Sequence, residues 1–325
     1  MPYALVRPVE GVMCMINYYK TVNGRIEKIN AREDGCWVNV VEPNTDEINE
    51  LIEQYKVEPE FIRSSMDEEE TSHIEKEEGH TFIIVDVPYV GKAGENIIYS
   101  TMPVGIIITE KEIITISIKD NPVICEFSDG AVKNVHTSLH THFVLHILLR
   151  MATRYLQYLK QIDKHSSFLE SRLRRSMKNK ELIQLLDIEK SLVYFQTSLK
   201  ANQTTLQKIL RGKYIKMYDE DQDLLEDVLI EVTQAIEMSN IHMSILSGTM
   251  DAFASLISNN LNIVMKVLTS ITIMLSIPTM IFSFFGMNIG SGGTLPFSNN
   301  IIFPLILSFV TAGIAGLILY KKNMF

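Results

Sequence analysis

Residues 267–288 read VLTSITIMLSIPTMIFSFFGMN, and not one of them is charged. The uncharged run continues to Tyr320, giving 54 residues from Val267 without Asp, Glu, Lys, Arg or His. Within it, Val267 to Phe285 and Ile301 to Tyr320 are strongly apolar segments of 19 and 20 residues. Each is long enough, as a helix, to cross a hydrocarbon core of ~30 Å. Between them, Gly286 to Asn300 read GMNIGSGGTLPFSNN, whose Gly, Ser, Asn and Pro are the chemistry of a short turn or re-entrant loop. The reading is two membrane spans joined by a loop too short to be a domain.

The rest of the chain has the opposite character. Of 325 residues, all 39 Asp and Glu lie at or before Asp251, so the first 251 residues set 27 Lys and Arg against 39 acids, a net −12, and the remainder carries +3. Lys266 precedes the first span, Lys321 and Lys322 follow the second, and the loop has no positive charge. The positive-inside rule therefore predicts a multi-pass protein of the cell membrane with both ends in the cytoplasm. The start, MPYALVRPVEGVMC, has Glu10 and two prolines where a cleaved export signal needs a basic start and an unbroken apolar run. Cys14, Cys36 and Cys125 form no CxxC and leave an odd count, so neither a disulfide framework nor a zinc ribbon is expected. An acidic domain repels nucleic acid and attracts cations. No GxxxxGK[ST] and no GxGxxG after a strand occurs, so no nucleotide is expected. No nucleophile-base pairing is visible either, and the chain does not read as an enzyme.

Two helices cannot enclose an aqueous path, because backbone in lipid must stay internally bonded and a pore needs a ring of walls. Transport therefore implies a homo-oligomer. Asn262, Met265, Thr269, Thr272, Ser276, Thr279 and Ser283 recur at steps of three and four, which puts most hydroxyls of the first span on one helical face. Such a stripe suits a pore lining; the alternative is that Ser and Thr permit close helix packing or bond their own i−4 carbonyls. Pro278 is expected to bend this helix or free a carbonyl. In the second span, Ser308, Ala312 and Gly316 form a small-residue ridge suited to packing, which makes this the outer, lipid-facing helix.

Ahead of the membrane, VNVVEPNTDEINELIEQY predicts a short strand and then a helix entered through Asn44 and Thr45, with Asp46 and Glu47 in its first turn. Three β-rich runs follow, HTFIIVDVPYV, NIIYSTMPVGIIIT and EIITISI, separated by Gly or charged turns. They predict an α+β domain with a mainly antiparallel sheet flanked by helices. Beyond His136 apolar residues recur at helical spacing through Lys178, from Glu181 to Leu210, and from about Tyr218 onward. A single helix from Tyr218 to Phe285 would be ~100 Å long. The expected organisation is a cytoplasmic α/β domain over 1–135, a helical pair over 136–216 and the cytoplasmic part of a stalk helix over 217–266. The first span over 267–285, the loop over 286–300, the second span over 301–320 and a basic tail over 321–325 complete it. His136, His140, His142 and His146 form HxxxHxHxxxH, whose i, i+4 pairs suit a transition metal, although surface histidines are the simpler reading. Asp67 to Glu70 likewise reads as a solvated acidic face before a metal site.

Phe285, Gly286, Met287 and Asn288, at the end of a membrane helix that is followed by a second span and Lys321 and Lys322, resemble the signature of the CorA family of magnesium channels. The segment SNNLNIVMKVLT leading into the helix, and the order of WVNVVEP, EPEFIRSSMD, sheet, helical pair and stalk, extend the resemblance over the chain. It implies a homopentameric, funnel-shaped cation channel in the lipid bilayer, with Mg²⁺ as both transported and regulatory ion. Gly286, Met287 and Asn288 would form the selectivity filter, one Asn288 carboxamide per subunit presenting neutral oxygen to a hydrated ion. Asn262 matches a polar constriction near the cytoplasmic start of the helix, Met265 and Leu268 match apolar gate positions, and Thr279 matches a polar pore position. Asp227 falls at the family's metal-binding stalk acid. The sequence departs from the family at that acid's partner, where Ser64 stands and the nearest acids are Asp67 and Glu68. It also lacks an acid after GMN, leaving Asn288, Asn299, Asn300 and carbonyls at the outer mouth. The implied function is passive, potential-driven influx of Mg²⁺, and of Co²⁺ or Ni²⁺. The alternatives are a ZntB-like zinc transporter and a membrane metal sensor that does not conduct.

Overall fold

The computed structural model describes residues 16–77, 79–93, 96–176, 179–212, 214–286 and 302–322. The chain divides into two compact units between Ser247 and Gly248.

The first unit is built on a seven-stranded sheet in the order β2-β1-β3-β7-β6-β5-β4. Strands β1 (Asn17–Val22) and β2 (Arg25–Ile29) form a hairpin across Asn23 and Gly24. Both turn residues have positive φ, 51° and 75°, as a two-residue turn matched to strand twist requires. Strand β3 (Trp37–Val41) pairs antiparallel with β1 and parallel with β7 (Ile113–Ser117), and β4 (Ile74–Glu77), β5 (His80–Ala93), β6 (Asn96–Ile108) and β7 continue antiparallel. The sheet is thus mainly antiparallel with one parallel junction at its centre.

Residues 81–88 of β5 are all buried, the mark of a strand covered on both faces. On one face α1 (Thr45–Tyr55) and α2 (Pro59–Ser65) contribute Leu51, Tyr55, Phe61 and Ile62 to a core with Val38, Val40, Phe82, Ile84, Ile107 and Ile114. Helix α1 begins as its sequence dictates: Asn44 caps it, accepting from the amides of Asp46 and Glu47, while Glu47 reaches back to the Asn44 amide. Helices α4 (His140–Ser176) and α5 (Asn179–Arg211) contact β5 and β6. The short α3 (Pro122–Ser128), capped by Asn121, packs Phe127 edge-on against Trp37 and Phe143. Trp37 is fully buried and donates its indole N–H to Thr115 Oγ1 at 2.9 Å.

Asn202 of α5 is inserted where β4 ends. The Ile84 amide bonds the carbonyl of His73, but the next outward-facing residue of β5, Asp86, has no strand beside it on that edge. The Asn202 carboxamide takes the place of a peptide unit: Oδ1 accepts from the Asp86 amide at 2.9 Å and Nδ2 donates to the Asp86 carbonyl at 2.8 Å. Ser72 donates to the same Oδ1 at 2.6 Å, and Tyr155 of α4 donates to the Asp86 carbonyl at 3.0 Å. An edge that would otherwise leave buried backbone unpaired is closed by side chains.

Helix α6 (Asp219–Gly286) is continuous over 68 residues and belongs to both units. Its later part and α7 (Ile302–Lys321) make up the described part of the second unit, and both helices are long and apolar enough to cross a membrane.

Candidate functional site

Within the second unit, α6 turns one face to α7. Val267, Ser270, Met274, Ile277, Ile281 and Phe285 recur at helical spacing and are buried or half-buried. On α7 the matching face carries Pro304, Ser308, Ala312, Gly316 and Leu319. A Cβ placed on Gly316 would stand 3.4 Å from Met274 Cε, so the small-residue ridge serves close helix packing, as its sequence suggested.

The hydroxyl stripe lies on the other side. Asn262, Met265, Leu268, Thr269, Thr272, Ser276, Thr279 and Ser283 are all exposed in the single chain. At about 100° per residue, their face is centred roughly 170° from the one that meets α7. Packing among the described residues of the chain therefore does not account for the stripe. Three of its hydroxyls do bond backward, as the alternative reading required: Thr272 donates to the Leu268 carbonyl at 2.8 Å, Ser276 to Thr272 at 2.8 Å and Thr279 to Leu275 at 2.9 Å. With their protons so used, these oxygens present only lone pairs outward. Pro278 has no N–H to return to the Met274 carbonyl, so the helical ladder skips one bond beside Thr279.

Gly286 closes α6, whereas Met287, Asn288, Asn299 and Asn300 lie outside the described residues. Asp227 is exposed on α6 between buried Leu225 and Val228. Glu68 is exposed and lies 3.9 Å from the Lys119 ammonium, and Asp67 accepts from the Glu69 amide at 3.0 Å in a local turn. Among the described residues no group of three or more His, Cys, Asp or Glu converges on an ion position. A site built on Asp227 then needs ligands beyond those that the described part of one chain offers.

The histidine cluster divides. His136 is exposed, as expected of a surface histidine, but His140, His142 and His146 are half-buried on α4. His140 faces the backbone at Thr109 and Lys111, and burial holds it below its ordinary value. His142 and His146 lie on one face, with Nε2 atoms 3.1 Å apart and rings nearly perpendicular. His142 Nδ1 is 3.2 Å from Oδ1 of Asp221 in the first turn of α6. Burial, and then the neighbouring His142 and Arg150, lower His146 as well. No sequence pattern announced Asp221, which lies 79 residues from His142.

Comparison with known proteins decides the family. The profile described as "CorA-like Mg2+ transporter protein" matches residues 32–321, nearly the whole chain. This chain belongs to the CorA family. The cobalt/magnesium transport protein CorA of Methanocaldococcus jannaschii is 27% identical over 283 residues, covering 81% of this chain and 82% of that one. The complete structure of the magnesium transporter CorA from the same organism superposes with a TM-score of 0.78 at 23% identity, over 96% of this chain and 98% of that one. Full-length CmaX superposes at 0.70 with 11% identity, over 96% and 98% of the two chains. The ZntB cytoplasmic domain of Vibrio parahaemolyticus superposes at 0.57 with 12% identity, over 76% of this chain and 98% of that domain. These structural likenesses establish a shared fold, so ZntB lends no substrate to this CorA family member.

Proposed function

We propose that this protein is a passive, membrane-potential-driven channel for Mg²⁺ influx, formed by five copies of the chain and admitting Co²⁺ or Ni²⁺ as well. The observation that carries the reading is the stripe from Asn262 to Ser283, a face on which Thr269, Thr272, Ser276, Thr279 and Ser283 line up within an apolar helix, turned away from the only other described membrane helix. Exposed acceptor oxygen on a membrane helix suits an aqueous path, and a single chain cannot enclose one. Copies arranged about an axis bring their stripes together. The relative's description as a cobalt/magnesium transport protein supports the choice of ion.

Asn288 carboxamides ring the outer mouth and bind a hydrated ion through neutral oxygen, which suits Mg²⁺ because it gives up water reluctantly. Asn262 forms an inner polar constriction, and Met265 and Leu268 stop conduction by excluding water when they close in. The acidic domain faces the cytoplasm, and Mg²⁺ held between neighbouring domains at Asp227 favours the closed state. The test is Mg²⁺ entry into dye-loaded liposomes containing the purified protein alone, without nucleotide, under an inside-negative potential. Entry is expected in wild type and is expected to be lost or unselective in Asn288→Ala with the oligomer intact. Unchanged entry in that variant overturns the filter assignment, and no entry at any potential overturns the channel.

A further inference from the structure

We propose that His142 and His146 form a binding site for a divalent transition-metal ion of intermediate softness, such as Ni²⁺, Co²⁺ or Zn²⁺, with Asp221 orienting His142 from behind. The site lies wholly in the first unit, between the first turns of α4 and the start of α6.

Its geometry is already close to that of a bound pair. Two imidazole nitrogens ligating one ion at ~2.0–2.1 Å with a tetrahedral angle stand about 3.3 Å apart. Nε2 of His142 and Nε2 of His146 stand 3.1 Å apart, an adjustment of a few tenths of an ångström. Four-residue spacing on a helix gives both rings the same side to point to.

The second partner decides the tautomers. A carboxylate can only accept, so His142 carries its proton on Nδ1 and gives it to Asp221 Oδ1, leaving Nε2 with a lone pair. His146 must then place its proton between the two Nε2 atoms. A metal ion takes that position when the His146 proton moves to Nδ1, and the ring stays neutral throughout. Carboxylate, imidazole and metal in a line is the arrangement that fixes ring orientation and raises ligand basicity. Asp221 is itself held, because its Oδ2 accepts from the Tyr218 amide at 3.0 Å in the first turn of α6, and it is nearly buried. Thr141 donates to the Lys216 carbonyl at 2.8 Å, fastening the same two segments. Arg150, one turn beyond His146, is engaged by Glu126 at 3.1 Å. With two protein nitrogens, the ion completes its shell with water. Imidazole selects borderline ions, and Mg²⁺, which demands oxygen, is excluded.

The experiment is a calorimetric titration of Ni²⁺ into the full chain in detergent, without a histidine tag, after chelator treatment and with millimolar Mg²⁺ present throughout to fill oxygen sites. One Ni²⁺ per chain is expected, weakened at least ~10-fold in His146→Gln and in His142→Gln, and ~10–100-fold in Asp221→Asn, the range for loss of a carboxylate behind a ligand. His140→Gln is expected to bind as wild type does. Cu²⁺ added to the unaltered chain is expected to show two nitrogen donors by electron paramagnetic resonance, a readout that no variant's folding can confuse. Ni²⁺ affinity unchanged in His146→Gln, or a Cu²⁺ spectrum without two equivalent nitrogens, overturns the site. Neither readout involves ion flux, so the result stands apart from the channel.

Discussion

Replacing Asn202 by alanine removes a strand surrogate, and its cost follows from what the side chain holds. Three hydrogen bonds to nitrogen and oxygen partners are lost, to the Asp86 amide, the Asp86 carbonyl and the Ser72 hydroxyl, together with a weaker one to Met151 Sδ, at a site with no exposure. At about 1 kcal/mol net for each, the loss is about 3 kcal/mol. The Asp86 carbonyl keeps Tyr155, whereas its amide is left buried without an acceptor, which holds the loss near the upper part of that range. The sequence has one tryptophan, Trp37, fully buried against the same sheet, so its fluorescence reports unfolding of the first unit. With a urea dependence of ~1–3 kcal/mol per molar, the midpoint is expected to fall by about 1 M or more with an unchanged slope. Ser72→Ala alone costs about 1 kcal/mol and should add almost nothing in the Asn202→Ala background, because its acceptor has already gone. A shift below that of Ser72→Ala, or costs that simply add, refutes the argument that this amide completes the edge of β5.

Desolvation raises the Asp86 carboxyl above its ordinary value of 3.8. The folded state therefore takes up a proton before the unfolded state does, and this group alone adds stability as pH falls through its raised value toward the ordinary one. Asp86→Asn should flatten that part of a urea-midpoint against pH profile and raise the midpoint at neutral pH. At Gly316, alanine should be tolerated, because its Cβ meets Met274 Cε at 3.4 Å, whereas leucine should overpack the helix pair by about 1–3 kcal/mol and lower the melting temperature of the purified protein. If Mg²⁺ is held at Asp227 as proposed, it is expected to protect the wild type from protease and not Asp227→Lys, so chelating Mg²⁺ should change the digestion pattern of wild type only.

Much of the fold was legible because its determinants are local. Helix α1 starts at Asn44 and Thr45 as the sequence reads, with Glu47, expected only as a first-turn acid, closing a capping box, and the helix read as Tyr218 to Phe285 is observed from Asp219 to Gly286. The β1–β2 hairpin escaped a reading that began at Trp37, although Asn23 and Gly24 between TYR-rich and Ile-rich runs are a strong hairpin signal. Helix α3 was missed as well, although Asn121 followed by Pro122 marks its start. Strand β4 escaped for a different reason: IEKE has no alternation, and only its pairing with β5 makes it a strand. At the candidate site, the spacing of Thr272, Ser276 and Thr279 disclosed a face, but the direction of that face relative to α7 is a tertiary fact. The same holds for the histidines, where HxxxHxHxxxH offers two i, i+4 pairings and Asp221 singles out one.

The parallel pairing of β3 with β7 also orders events during synthesis. Trp37 finds its partner Ile113 only after the chain has been made that far, so the buried strand β3 waits with an open edge while α1, α2 and three further strands emerge. An unpaired apolar edge is where nascent chains stick to one another. The membrane-length helices lie later still in the sequence, so every strand of the sheet has been made before either of them is complete. A substitution that delays β7 would thus be felt as lost yield at the ribosome before it was felt as lost activity.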